Sequence, residues 1–115
     1  MKRGEVYWAI LAPRSGSEQR GARPVIVVSH DAFNQTLDWR SVIVVPVSTS
    51  PSQARRGPTT VPLPAGAGGL KRDSVALCNQ VTTLDRGKLA ARLGTLPSVL
   101  LAQVGEGLKT AQDLA

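Results

Sequence analysis

The chain alternates short apolar runs with loops of Gly, Pro and Ser, the pattern of a small fold built mainly from strands. Glu5–Leu11 (EVYWAIL) is dense in β-formers and predicts a first strand. Residues 12–21 (APRSGSEQRG) read as a polar loop. Pro24–Ser29 (PVIVVS) is an unbroken apolar run, as expected of a strand buried on both faces, with Pro24 tolerated as its opening residue. Asp31–Leu37 predicts a short helix with Asp31 as its N-cap. Ser41–Val47 predicts a third strand, and Pro46 within it points to a sheet edge or a bulge. A second polar loop over residues 49–58 carries Arg55 and Arg56. Thr59–Leu63 predicts a fourth strand, and Ala65–Gly69 (AGAGG) a turn or flexible tip. Asp73–Leu84 predicts a long fifth strand broken at Cys78–Asn79, and Arg92–Leu96 a further short one. Pro97–Leu114 reads as a C-terminal helix whose Leu101, Val104, Leu108 and Ala111 share one face. Gly105 and Gly107 weaken that helix, so packing must hold it. The expected class is α+β, mainly β: a small antiparallel barrel with a C-terminal helix and one short helix after the second strand.

Composition narrows the setting. The chain has 115 residues, which fits one domain spanning 1–115 on the usual scale of about 100–200 residues per domain. With 42% hydrophobic residues it can bury a core without disulfides or structural metals. The single cysteine, Cys78, cannot form an internal bridge, and its apolar context (VALC) reads as an inert core thiol in a reducing cytoplasm. No secretory signal is visible at Met1–Glu5, and no apolar run is long enough to span a membrane. The net charge is +6, and ten of the fourteen basic residues are arginines, the better residue for forked phosphate contacts. A basic surface suits nucleic acid, an anionic membrane or an acidic protein partner, and by itself decides among none of them.

Elimination limits the chemistry. One histidine, His30, rules out a histidine acid–base pair within the chain and reads as structural. The sequence offers no His/Cys cluster for zinc, no paired carboxylates for a two-metal site and no glycine-rich phosphate loop, so no metal and no cofactor is expected. Arginines and hydroxyls beside polar loops remain. That set can cut RNA, which carries its own nucleophile in the 2′-hydroxyl. The enzyme then assists deprotonation, neutralises charge on the phosphorane and protonates the leaving 5′-oxygen. Oriented arginine donors suit the developing charge. Arg55 and Arg56 would track phosphates in an RNA binder. Trp8 reads as core or dimer interface rather than a base platform, while Trp39, in LDWRS, reads as exposed and open to stacking.

Four stretches carry a family resemblance in register: Lys2–Trp8 (KRGEVYW), Gly16–Ser29 (GSEQRGARPVIVVS), Val45–Val47 with the hydroxyls after it, and Asp73–Leu77 with Gln80–Asp85. Together they resemble the MazF/PemK toxin family over nearly the whole chain. The resemblance implies a homodimer of SH3-like barrels of the CcdB/Kid/MazF type. It also implies sequence-specific, metal-independent cleavage of single-stranded mRNA to 2′,3′-cyclic phosphate and 5′-hydroxyl ends. A small, acidic, partly disordered antitoxin would block the RNA groove. Arg23 matches the family's catalytic arginine. The family's catalytic threonine falls on Ser48 by ungapped counting, with Thr49 next, so the hydroxyl is split between the two. Glu18 matches a loop residue suited to acid–base assistance, and Gln19, Arg20 and Gln80 fall where the family contacts RNA. Two other readings share the fold: a CcdB-like gyrase inhibitor, and a degenerate member that binds RNA without cutting it.

Overall fold

The computed structural model describes residues 1–11, 21–50 and 57–114. Seven strands and two helices follow one another as β1 (Glu5–Leu11), β2 (Gly21–Val27), α1 (Asp31–Asn34), β3 (Ser41–Ser48), β4 (Thr60–Leu63), β5 (Ser74–Leu77), β6 (Thr82–Asp85), β7 (Leu89–Thr95) and α2 (Ser98–Ala111). The strands form one antiparallel sheet in the order β4-β5-β3-β2-β1-β7, with β6 also paired to β3. The end strands β4 and β7 do not pair with each other, so the sheet is not closed.

β1 matches its expected span residue for residue. β2 begins at Gly21 instead of Pro24, because its pairing with β1 continues through Ala9↔Arg23 to Leu11↔Gly21. Two of the three strand prolines, Pro24 and Pro46, are accommodated by where the ladders stop. Val28 N–H donates to Ile43 O at 2.9 Å, so residues 24, 26 and 28 direct their amides toward β3. Pro24 therefore falls just past the last β2–β3 pair, Val25↔Pro46. Pro46 turns its nitrogen to the other side of β3. There β6 has ended at Val44↔Thr82 and β5 has begun only at Val47↔Ala76. The expected edge or bulge is a gap between two partners of one central strand.

The long strand expected over 73–84 is interrupted as predicted, by a single turn of 3-10 helix at Cys78–Gln80. α1 is capped by His30, whose Nδ1 accepts the Ala32 N–H at 2.9 Å. Asp31 is the first helical residue, and its carboxylate accepts the Arg3 amide at 2.6 Å from across the fold. The core has two layers. Val6, Ile26, Val45, Val47 and Val61 pack with Val104 of α2 on one sheet face, and Ala9, Val25, Val27, Val42, Val44 and Leu84 pack on the other. Gly107 is a packing device: a Cβ there would lie 2.7 Å from Cys78 Sγ, so its absence lets α2 approach the sheet. Cys78 is fully buried, and burial pushes its thiol up to about 11. Among the described residues no helix is long and apolar enough to cross a membrane.

Candidate active site

The ends of β2 and β3 bring the candidate arginine to the candidate hydroxyls. Their register runs Val27↔Val44, Ile26↔Val45 and Val25↔Pro46, and Arg23 and Ser48 each lie two residues beyond the last pair. Opposed residues on antiparallel strands share a face, and side chains alternate along each strand. Arg23 and Ser48 therefore stand on the face of Val25 and Val44, and Thr49 stands on the other face with Val47 and Pro24.

The two hydroxyls differ in environment as well. Ser48 is only 3% exposed, and its Oγ accepts the Ser50 N–H at 3.0 Å. That bond orients the oxygen and leaves the hydroxyl proton available to donate. Thr49 is exposed at the strand's exit.

Arg23 is half-buried, and its Nε is buried with no hydrogen-bond partner among the described residues. An unpaired buried donor is rare and costly, so it marks a place where an external acceptor completes the bonding. Gln80 has a matching acceptor: its buried Oε1 also lacks a partner among the described residues. Gln80 ends the 3-10 turn packed against β3. β3 thus lies between an unsatisfied donor from β2 and an unsatisfied acceptor from that turn. Glu18, Gln19, Arg20, Arg55 and Arg56 lie outside the described residues.

A cleft of about 460 Å³ opens beside this site, bordered by Arg23 and lined by Trp8, Pro24, Val47 and Thr49. Its far side is the segment Gly69–Arg72 with Ser74 and Leu93. Lys71 and Arg72 add two cations that the sequence reading passed over, although the pair stands immediately before the Asp73–Leu77 motif. Trp8 is 40% exposed here, so it is not core. Several basic residues elsewhere are engaged. Arg92 pairs with Glu5 at 2.8 Å, Arg40 with Asp85 at 3.0 Å and Lys109 with Glu106 at 3.2 Å. Arg86 donates to the carbonyls of Phe33 and Asn34, clamping the end of α1. Trp39 is 47% exposed and leans on Phe33 with ring centroids 4.9 Å apart. Among the described residues no three His, Cys, Asp or Glu side chains gather as a metal site.

The model of the PemK-like, MazF-like toxins of type II toxin–antitoxin systems matches residues 2–111. The chain belongs to this family. Endoribonuclease MazF2 of Mycobacterium bovis is 36% identical over 114 residues, covering 99% of this chain and 98% of that protein. Endoribonuclease EndoA of Bacillus subtilis is 37% identical over 114 residues, covering 99% and 96%. Among solved structures, MazF from Deinococcus radiodurans superposes with a TM-score of 0.80 at 30% identity over 99% of this chain and 97% of that one. A mycobacterial endoribonuclease in complex with its cognate antitoxin superposes with a TM-score of 0.78 at 25% identity, covering 100% and 97%. The antiparallel sheet and C-terminal helix are thus the MazF-like fold.

Proposed function

We propose that the chain is the toxin of a type II toxin–antitoxin pair, an endoribonuclease that cuts single-stranded mRNA at chosen sequences. Family membership over residues 2–111 and the endoribonuclease relatives support the class of activity. One observation carries the site: the Arg23 guanidinium, with an unpaired buried Nε, set by register on the face of the Ser48 hydroxyl. The 2′-hydroxyl of the RNA attacks its own phosphate, and the O5′ bond breaks. The products are a 2′,3′-cyclic phosphate and a free 5′-hydroxyl. Arg23 donates to the non-bridging oxygens as charge builds on the phosphorane. Ser48, oriented by the Ser50 amide, donates a hydrogen bond to the same phosphate, and Gln80 accepts one from a base or sugar donor. Thr49 on the opposite face contacts RNA without entering the chemistry. The acid and base for proton transfer come from the polar loop carrying Glu18, assisted by Arg23.

Residues 1–115 form a single such domain, acting in the cytoplasm as a homodimer whose SH3-like barrels bind a small acidic antitoxin. The net charge of +6 suits both that partner and RNA. Incubation of the purified protein with a long single-stranded RNA in excess EDTA tests the reading, with the 5′ ends of the fragments sequenced. Cleavage at a recurrent motif with 5′-hydroxyl ends is expected, and it should vanish in Ser48→Ala but persist in Thr49→Ala. Strict dependence on a divalent ion would refute the mechanism. RNA binding without fragments would make the chain a degenerate binder.

A further inference from the structure

The cleft beside Arg23 has a second wall that the cleavage chemistry leaves unused. Trp8 pairs with Pro24 on neighbouring strands, yet it stays 40% exposed and lines the cleft. Lys71 and Arg72 line the same cleft of about 460 Å³. Both are exposed, and neither forms an ion pair among the described residues.

The segment that carries these cations is braced. Gly66 N–H donates to Leu70 O at 2.6 Å, Asp73 Oδ1 accepts the Ala65 N–H at 2.9 Å, and Ser74 Oγ donates to Arg72 O at 2.8 Å. Gly69, at φ +80°, passes so close to β7 that a Cβ would lie 2.0 Å from Leu93 O. Lys71 and Arg72 therefore stand on a fixed backbone, which lowers the entropy lost when they engage a ligand.

Among the described residues the lining contains no acidic side chain. Its volume lies within the range of about 300–1,000 Å³ usual for small-ligand sites. An aromatic side chain and two cations in one cleft, with Thr49 also in its lining, is the chemistry that holds a nucleotide of a single strand.

We propose that this groove is a nucleotide subsite: one base of the RNA lies on the Trp8 indole, its phosphate sits between Lys71 and Arg72, and the fit helps select the sequence cut. The proposal rests on the ribonuclease reading and adds specificity residues to it. An acidic peptide or a second copy of the chain would use the same walls differently, and the experiment separates them.

A Trp39→Phe background leaves Trp8 as the sole tryptophan. A short all-deoxy oligonucleotide lacks the 2′-hydroxyl and cannot be cut, so it serves as the probe. It should quench Trp8 fluorescence on binding. Trp8→Ala should weaken binding about 5- to 150-fold, whereas Trp8→Phe keeps most of it. The double variant Lys71→Gln/Arg72→Gln should flatten the slope of log Kd against log salt by about 0.7, the value for one phosphate contact on a single strand. With RNA, Trp8→Ala should raise KM and redistribute the cut sites. Oligonucleotide binding without quenching, or an unchanged salt slope in the double variant, overturns the proposal. So does a Trp8→Ala protein that sediments as a monomer where the parent is a dimer, since the groove is then a protein contact. Cleavage by the parent with unaltered sites and KM in Trp8→Ala refutes the groove alone. Quenching by the oligonucleotide in a protein that never cuts RNA refutes the ribonuclease reading alone.

Discussion

Replacing Arg23 by Met should make the protein more stable and inactive at once. Arg23 is half-buried, and its Nε–H has no acceptor among the described residues. Such a donor costs about 1–3 kcal/mol in the free protein. Because the side chain is only partly covered, the lower end applies, about 1 kcal/mol. Methionine keeps an unbranched side chain, fills the same space and brings no donor. In a chain of this length about 1 kcal/mol corresponds to roughly 4 °C in Tm, between the shifts typical of smaller and larger domains. Loss of a positioned donor to the developing phosphorane charge should lower kcat about 10²–10³-fold. Arg23→Lys keeps the charge and loses the fork, so its activity should fall between the two. The assay is a pair of measurements on each variant: a thermal melt, and initial rates on a fluorogenic single-stranded RNA at saturating substrate. A lower Tm with lost activity would mean that Arg23 is structural, with a partner that satisfies it. A higher Tm with full activity would mean that its guanidinium does not meet the scissile phosphate. Either result refutes the reasoning.

Three further outcomes follow from the same structure. Glu5 is buried, which raises its pKa, but hydrogen bonds from the Lys2 amide, Arg92 and Tyr7 outweigh this and hold it below its ordinary 4.5. A depressed carboxyl stabilises the fold above its unfolded pKa and loses that contribution as pH falls through the folded one, so the urea midpoint should drop below pH 4.5 and do so less steeply in Glu5→Gln. Arg86 Nη2 reaches Phe33 O at 2.8 Å and Asn34 O at 2.6 Å. Arg86→Gln should cost about 2 kcal/mol in urea unfolding, solvent exposure keeping the figure toward the low end for charged hydrogen bonds, while the folded fraction keeps its RNA cut sites. Cys78, with its thiol pushed up to about 11, should resist a disulfide reagent at pH 8 until denaturant is added.

Where local pattern decides structure, the sequence already carried it. The β-formers of Glu5–Leu11 become β1 without revision, and the break at Cys78–Asn79 is where β5 gives way to β6. Where long-range pairing decides, it did not. Ala22 and Gly21 have poor strand propensity, yet β1 draws them into β2. Leu89–Ala91 joins β7 for the same reason, beside Ala9 and Tyr7. Asp31 has the chemistry of an N-cap, but the Arg3 amide, far along the chain, claims its carboxylate and leaves the cap to His30. AGAGG reads as a flexible tip because its glycines are visible and its contact with Leu93 is not.

The candidate site shows the same division at the scale of two residues. Counting along the chain left Ser48 and Thr49 as near equals, because both are hydroxyls at the end of one strand. A strand has period two, so neighbours cannot serve the same face. With β2 and β3 in register, alternation puts Ser48 on the face of Arg23, and Thr49 lines the cleft with Trp8, Arg23, Lys71 and Arg72. One hydroxyl is then buried and oriented by a backbone amide, as a group acting on a fixed phosphate should be. The other is exposed among cations and an indole, as a group that reads a strand should be. The arginine before Pro24 gains its meaning from the same register. The strand pairing that makes room for the proline also holds the Arg23 guanidinium partly out of water, short of an acceptor that RNA carries at every phosphate.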